Sequence, residues 1–319
     1  MKPVHQLLRF ILPVALALAL PALRAHGAPA FHATTNGFAF DTGIWNGRLQ
    51  ANGKSFGLVP VQQSADRLAL ARSMGWLAVY RVFSDGRRYG DGGWDWPHQS
   101  RLLPDGSVLV SCPAQTNRPF DFTGQYSWRD AQTVDLQITV VPRQRLTGFE
   151  VFVASYFAPI FSNAITTIIP GPNANPTLIH ATREAAEWHM FPRRPDLAAL
   201  IQDGRWKLEP HPVTWTLRPP FAFPIALRHA PTHGLTIAVL GDPTECFALA
   251  MPYETEGHYS LYLSLFGRDL IIAGKPATAR VRLQALKTPD WQDIVKAWQA
   301  FAPRPGDNSS APAAPAQNR

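Results

Sequence analysis

Two cysteines in 319 residues, Cys112 and Cys246, are too few and too far apart for a disulfide scaffold. No CxxC pair and no Cys/His cluster at zinc spacing exists, which sets zinc-ribbon and redox-motif readings aside. Also missing are a Gly-x-Ser-x-Gly elbow, a glycine-rich phosphate loop and an HExxH helix. These absences argue against serine hydrolases, nucleotide binders and zinc proteases. The formal charge of +7 comes from scattered lysines and arginines, and falls to +4 without Lys2, Arg9 and Arg24. That is too mild for a nucleic-acid partner. The two cysteines either join as one long-range disulfide in an oxidising compartment or stay apart as small buried hydrophobes.

The long apolar run is at the N-terminus. Lys2 and Arg9 precede "FILPVALALALPAL" (Phe10–Leu23), which is short for a span and interrupted by Pro13 and Pro21. With the small residues of "AHGAPA" after it, residues 1–30 read as a signal peptide cut after Gly27 or Ala30. A periplasmic or secreted protein, with no membrane contact after cleavage, is expected. Residues 302–319 are Pro, Ala, Ser and Asn without apolar periodicity and read as a disordered tail.

Between them, residues 31–301 follow period two. "VDLQITV" (Val134–Val140) sets Val134, Leu136, Ile138 and Val140 against Asp135, Gln137 and Thr139. "HYSLYLSLF" sets Tyr259, Leu261, Leu263 and Leu265 against His258, Ser260, Tyr262 and Ser264. Such alternation marks antiparallel strands. Turn signals at Asn46-Gly47, Asn52-Gly53, Ser84-Asp85-Gly86 and Pro104-Asp105-Gly106 divide about fifteen candidate strands. "TPDWQDIVKAWQAF" predicts a lone C-terminal helix, with Thr288 as N-cap, Pro289 at the first position and Trp291, Ile294, Val295, Trp298 and Phe301 as its apolar stripe. "APIFSNAITTIIPGPNANP" (Ala158–Pro176) reads as the longest irregular loop. One large all-β domain is the expected architecture.

"LLPDGSVLV", "QYSWRDAQTVDLQITVVPRQRLTGFEVFVASYF" and "HYSLYLSLFGRDLIIAGKPATARVRLQAL" resemble the strand succession of the galactose mutarotase-like supersandwich superfamily. "HMFPRR", "DGRW" and "SLFGRDL" more closely resemble uncharacterised exported proteins of planctomycete-type bacteria. The resemblance implies a large antiparallel supersandwich that holds a sugar on a concave sheet, with no cofactor. In mutarotases of that fold the catalytic order along the chain is His, His, Glu. His98, His189 and Glu254 or Glu256 match that order here, although His98 lies in "DWPHQS" and not in an Asn/His/Gly-rich motif.

Three stretches carry candidate chemistry. In "EAAEWHMFPRR", a strand over "EWHMF" points Glu187 and His189 the same way, about 6–7 Å apart at Cα, as an acid/base pair. Arg193 and Arg194 past its end suit a carboxylate or phosphate. A metal reading through His180, Glu184 and His189 fits no zinc pattern. In "SDGRRYGDGGWDWPH", Trp94 and Trp96 offer sugar-stacking faces beside Asp91 and Asp95, with His98 following. The other reading is a hairpin whose tryptophans cap the core. In "CFALAMPYETEGHYSLY", Glu254, Glu256 and His258 alternate and Tyr253 offers an acid or a platform, against a hairpin tip with solvated acids. Glu150 and Tyr156 share a face with Phe152, and Arg205-Trp206 read as a turn with a packed tryptophan. The leading expectation is acid/base chemistry on a saccharide or polysaccharide by an epimerase, hydrolase or lyase. The alternatives are a non-catalytic glycan-binding protein and a cell-envelope structural protein.

Overall fold

The computed structural model describes residues 29–51, 56–170, 175–286 and 290–302. The signal-peptide and tail readings fall almost wholly outside these, as do Asn52-Gly53, Thr288 and Pro289. Four short strands come first: β1 (Phe31–Thr34), β2 (Gly37–Asp41), β3 (Trp45–Leu49) and β4 (Leu58–Gln63), paired in that order. Then come β5 (Ala78–Ser84), β6 (Arg87–Arg88), β7 (Gln99–Leu102), β8 (Val108–Cys112), β9 (Phe120–Asp130), β10 (Thr133–Pro142), β11 (Leu146–Tyr156), β12 (Asn163–Ile168), β13 (Thr177–His180) and β14 (Trp188–Pro192). The single-turn helix α1 (Ala198–Ile201) precedes β15 (Thr216–Leu217), β16 (Phe221–Ala230), β17 (Leu235–Gly241), β18 (Cys246–Pro252), β19 (Ser260–Leu270) and β20 (Ala277–Leu286), and helix α2 (Trp291–Phe301) closes the fold.

Two large sheets dominate. One has nine strands in the order β13-β12-β16-β17-β20-β10-β9-β8-β7, the other seven in the order β15-β14-β18-β19-β11-β5-β6. Every pairing is antiparallel except the short β14–β15 contact. The all-β antiparallel expectation with one C-terminal helix therefore stands. Alternation explains the main core. Val134, Leu136, Ile138 and Val140 of β10 join Val79, Val82, Val151, Val153, Leu261, Leu263 and Leu265 in one buried cluster fed by all three sheets. The opposite set on the seven-stranded sheet forms a second cluster with Phe83, Phe152, Ala154, Tyr156, Met190 and Tyr262. On the nine-stranded sheet the opposite set (Ile225, Leu227, Ala238, Leu240) meets Ile294 and Phe301 of α2.

Several local expectations are corrected. Asn46-Gly47 lies within β3, where glycine serves the close approach of the Pro60 carbonyl on β4 and not a turn. The stretch Ala158–Pro176 contains β12, since Thr166 and Ile165 pair with β16 despite the flanking Pro and Asn. Helix α2 is capped by Asp290, whose carboxylate accepts from the N–H groups of Gln292 (2.9 Å) and Asp293 (3.2 Å). Cys112 and Cys246 are separate, buried free thiols, so the disulfide alternative falls. Burial pushes both thiols up, Cys112 to about 12, and keeps them protonated.

Candidate functional site

An open cleft of about 1140 Å³ lies on the outer face of the seven-stranded sheet. Its floor follows strand parity. On β11, Glu150, Phe152, Ala154 and Tyr156 share the outer face with Ser264, Tyr262 and Ser260 of β19, and of these Phe152, Tyr156 and Tyr262 line the cleft. On β5 a bulge interrupts the pairing: Arg81 sits opposite Phe152 and Val79 opposite Val153, leaving Tyr80 without a Cα partner on β11. Both Tyr80 and Arg81 therefore line the cleft.

A wall is raised by the 3₁₀ turn Gly93–Asp95. A Cβ at Gly93 would stand 2.8 Å from Val79 Cγ1, so glycine is what lets this turn lie against β5. The turn presents Trp94, stacked on Tyr80 at 5.1 Å and 17°. The opposite cover is the segment between α1 and β15. Trp206 packs edge-on to Phe152 at 4.7 Å, and Trp215 packs at 87° to Trp206. Beneath them Glu150, 1% exposed, accepts from Ser264 Oγ (2.8 Å) and from Arg205 Nη1 (3.0 Å), and Arg205 is itself held by Asp203. Burial pushes the Glu150 carboxyl up while Arg205 pulls it back. This pair anchors the cover and lies outside the cleft lining.

Chemistry concentrates at the other end. His258 lines the cleft beside Trp188 (5.4 Å between ring centroids) and Tyr156 (6.2 Å). Its Nδ1 lies 2.8 Å and 3.0 Å from the two carboxylate oxygens of Glu256. A carboxylate only accepts, so Nδ1 carries a proton, and Nε2 is the ring nitrogen left for a ligand. Glu256 also accepts from the His258 backbone N–H at 2.8 Å. Glu187, Asp91 and Asp95 add acids to the rim. Tyr156 and Tyr262 are linked through their hydroxyls at 3.4 Å, and Ser260 Oγ donates to Tyr262 at 2.7 Å. Burial raises Tyr156 well above the usual phenol range and pushes Tyr262 up to about 12. Both hydroxyls therefore stay protonated at neutral pH.

The predicted site residues are partly brought together. Trp94, Asp95, Glu187 and His258 line the cleft, and Glu256 stands behind His258. His189 does not join them. On β14 it is Trp188 and Met190 that face the cleft side, while His189 pairs with Met251 and stacks on Phe191 at 6.1 Å toward the main core. His189 is 1% exposed, its Nε2 donates to the Thr182 carbonyl at 3.2 Å, and burial, then the Arg218 charge, lowers its pKa. The expected Glu187–His189 pair is thus split: Glu187, just before β14, reaches the cleft, and His189 points to the opposite face of the strand.

His98 is held by two carbonyls, Trp96 O (2.9 Å, Nδ1) and Ala51 O (Nε2), with Phe56 against its ring. Trp96 is a core residue, its Nε1 donating to Tyr89 O at 3.0 Å under the Arg118 guanidinium. Tyr253 lies beneath Arg183, away from the cleft. Glu254 is tied by its own backbone to Ala181 and Arg228. Arg193 donates to the Thr244 carbonyl, and Arg194 forms a surface pair with Asp196 (3.0 and 2.9 Å). The residues that sequence reasoning missed are Tyr80, Arg81, Trp188, Trp215 and Tyr262. Tyr262 carried a signal: an aromatic set between serines, interleaved with leucines, is a strand buried on both faces. Among the described residues no group of three or more His, Cys, Asp or Glu could hold a metal ion, and no helix is long and apolar enough to cross a membrane.

No protein-family model matches the chain, and no curated protein matches it. Among solved structures it is similar to an Escherichia coli K12 protein described as an aldose 1-epimerase, at 12% identity and TM-score 0.45 over 81% of this chain and 98% of that one. It is also similar to Bifidobacterium bifidum α-N-acetylgalactosaminidase NagBb, at 13% identity and TM-score 0.49 over 82% of this chain and 38% of that one. A TPR-domain containing protein of Parabacteroides distasonis aligns at 9% identity and TM-score 0.43 over 88% of this chain and 50% of that one. The chain spans half or less of the latter two.

Proposed function

We propose that the cleft binds a saccharide and that His258, oriented by Glu256, moves a proton on it. The carrying observation is the Nδ1–carboxylate contact of 2.8 Å on the wall of an aromatic-lined cleft. Trp94, Trp188 and Trp215 offer flat apolar faces for the CH patches of sugar rings, and Asp95, Glu187 and Asp91 offer acceptors for hydroxyls. An imidazole with one nitrogen fixed by a carboxylate is suited to take a proton at the other and return it. Epimerisation of the mutarotase kind, and membership of the galactose mutarotase-like superfamily, agree with this reading. So does export, which the apolar stretch Phe10–Leu23 behind Lys2 and Arg9 supports.

A second reading, glycan binding without turnover, is favoured by one observation: the His258 side chain is 54% exposed. A glycan array with product analysis on each hit separates the two. Turnover that drops by about 10²–10⁴ in His258→Ala, with affinity little changed, supports catalysis. Binding without product supports the second reading. An array with no hit defeats both.

A further inference from the structure

Four arginines of the described residues are more than nine-tenths buried: Arg81 (2% exposed), Arg118 (2%), Arg205 (6%) and Arg228 (0%). Three are spent on the protein itself. Arg205 is paired at all three nitrogens, with Asp203, Glu150 and the Gly148 carbonyl. Arg118 gives Nη1 to the Phe120 and Cys112 carbonyls and Nη2 to Pro113 O. Arg228 gives Nη1 to Glu254 O and Phe161 O, and Nη2 to Ser260 O. In the last two only Nε lacks a partner.

Arg81 differs. Nη2 donates to His211 O at 2.8 Å and, more weakly, to Tyr80 Oη at 3.4 Å. Nε and Nη1 have no partner, so three of its five N–H groups are unused. It forms none of the ion pairs found among the described residues. It is also the one member of the four that lines the cleft. Its guanidinium lies over aromatic rings, 4.9 Å from the Tyr80 centroid and 5.3 Å from that of Trp206. A second cation stands near. Arg88 is lowered first by burial and next by the Arg81 charge, against weaker pulls from Tyr80, Asp91 and Asp95. Its Nη groups are taken by the Pro210 and Asp91 carbonyls. A buried cation at a ligand cleft, fixed in place and without an anion, is chemically incomplete.

We propose that Arg81 receives an anionic substituent of the bound saccharide, a carboxylate or a sulfate ester, and so selects acidic sugars. This rests on the saccharide reading of the cleft. Neutral sugars offer only hydroxyl acceptors and leave the charge uncompensated, whereas an anion meets its unpaired nitrogens with charge-assisted hydrogen bonds.

The test is calorimetric titration of the full protein with trigalacturonate, its methyl ester and galactotriose, alongside galacturonate and galactose 6-sulfate. The acid should bind at least tenfold tighter than its neutral ester, with a preference that shrinks as salt is raised. The stronger of the two monosaccharides names the anion. Arg81→Met should level the acid and the ester, and Arg81→Lys, which keeps the charge without the fork, should retain part of the preference. Arg81→Met should also melt no lower than wild type without ligand, since it loses an unpaired charge. Equal binding of acid and ester by wild type overturns the inference and leaves the saccharide reading intact, and that comparison needs no variant. A strongly destabilised Arg81→Met shows a structural arginine and also overturns it. If no probe binds, the inference falls, and the glycan array alone decides the saccharide reading.

Discussion

Helix α2 lies on the outer face of the nine-stranded sheet, and Ile294 and Phe301 close against Ile225, Leu227 and Leu240. The outer face of the seven-stranded sheet meets an irregular cover instead. Segment 195–217 is pinned through Arg205 to Glu150, and its Trp206 and Trp215 stand edge-on to their neighbours. A helix presents a continuous apolar stripe and seals what it covers. An irregular segment touches at a few anchors and leaves space between them. Under α2 the strands supply mostly aliphatic side chains, to which Phe223, Trp291, Trp298 and Phe301 add rings, whereas the other face is lined by aromatic and polar side chains. Within one sandwich, the incompletely covered face is the one that carries the cleft.

The sharpest way to break this contrast is to release the irregular cover. Arg205→Met leaves Glu150 buried without its partner and should cost about 3–5 kcal/mol in denaturant unfolding. A change under about 1 kcal/mol would show that segment 195–217 is held by its aromatics alone. Next, the two faces should respond differently to truncation. Ile294→Ala on the sealed face should cost about 2–5 kcal/mol of stability with saccharide affinity unchanged. Trp94→Ala at the cleft should weaken saccharide binding by about tenfold, or ~1.4 kcal/mol, with a smaller loss of stability. Equal stability losses with no loss of affinity would erase the distinction between faces.

The smallest effect concerns His189. Burial lowers its pKa below the ordinary 6.5, so below that pH the unfolded chain takes up a proton that the folded chain refuses. Its contribution to stability is complete above 6.5 and is lost as pH falls toward the folded value. His189→Gln should unfold with a shallower pH dependence below 6.5 than wild type. Parallel profiles would place the proton uptake elsewhere.

Strand parity made much of the fold legible. The leucines of β19 and the aliphatic set of β10 are buried as their alternation requires. What parity does not state is which of two buried faces is the working one. On β14 both His189 and Met190 are fully enclosed, so alternation separates the two sets without assigning either to the cleft. A histidine beside a glutamate looked like the functional set, and Trp188 proved to be on the cleft face. Glu256 and His258 were legible because a two-residue spacing around a glycine lets both side chains meet in a turn as well as on a strand. Arg81 was not, since the bulge that turns it outward depends on its pairing with β11.

That bulge has an evolutionary side. Tyr80 is the extra residue that lets Val79 and Val82, three positions apart, both stay with the main core, where an unbulged strand would turn them to opposite faces. Removing Tyr80 would rejoin Val79 to Arg81 as ordinary neighbours, with no apolar side chain moved to the wrong side. Such a position can be gained, lost or exchanged without renegotiating the interior. The lining of the cleft can therefore change at β5 by a single residue while the core beneath it keeps its packing.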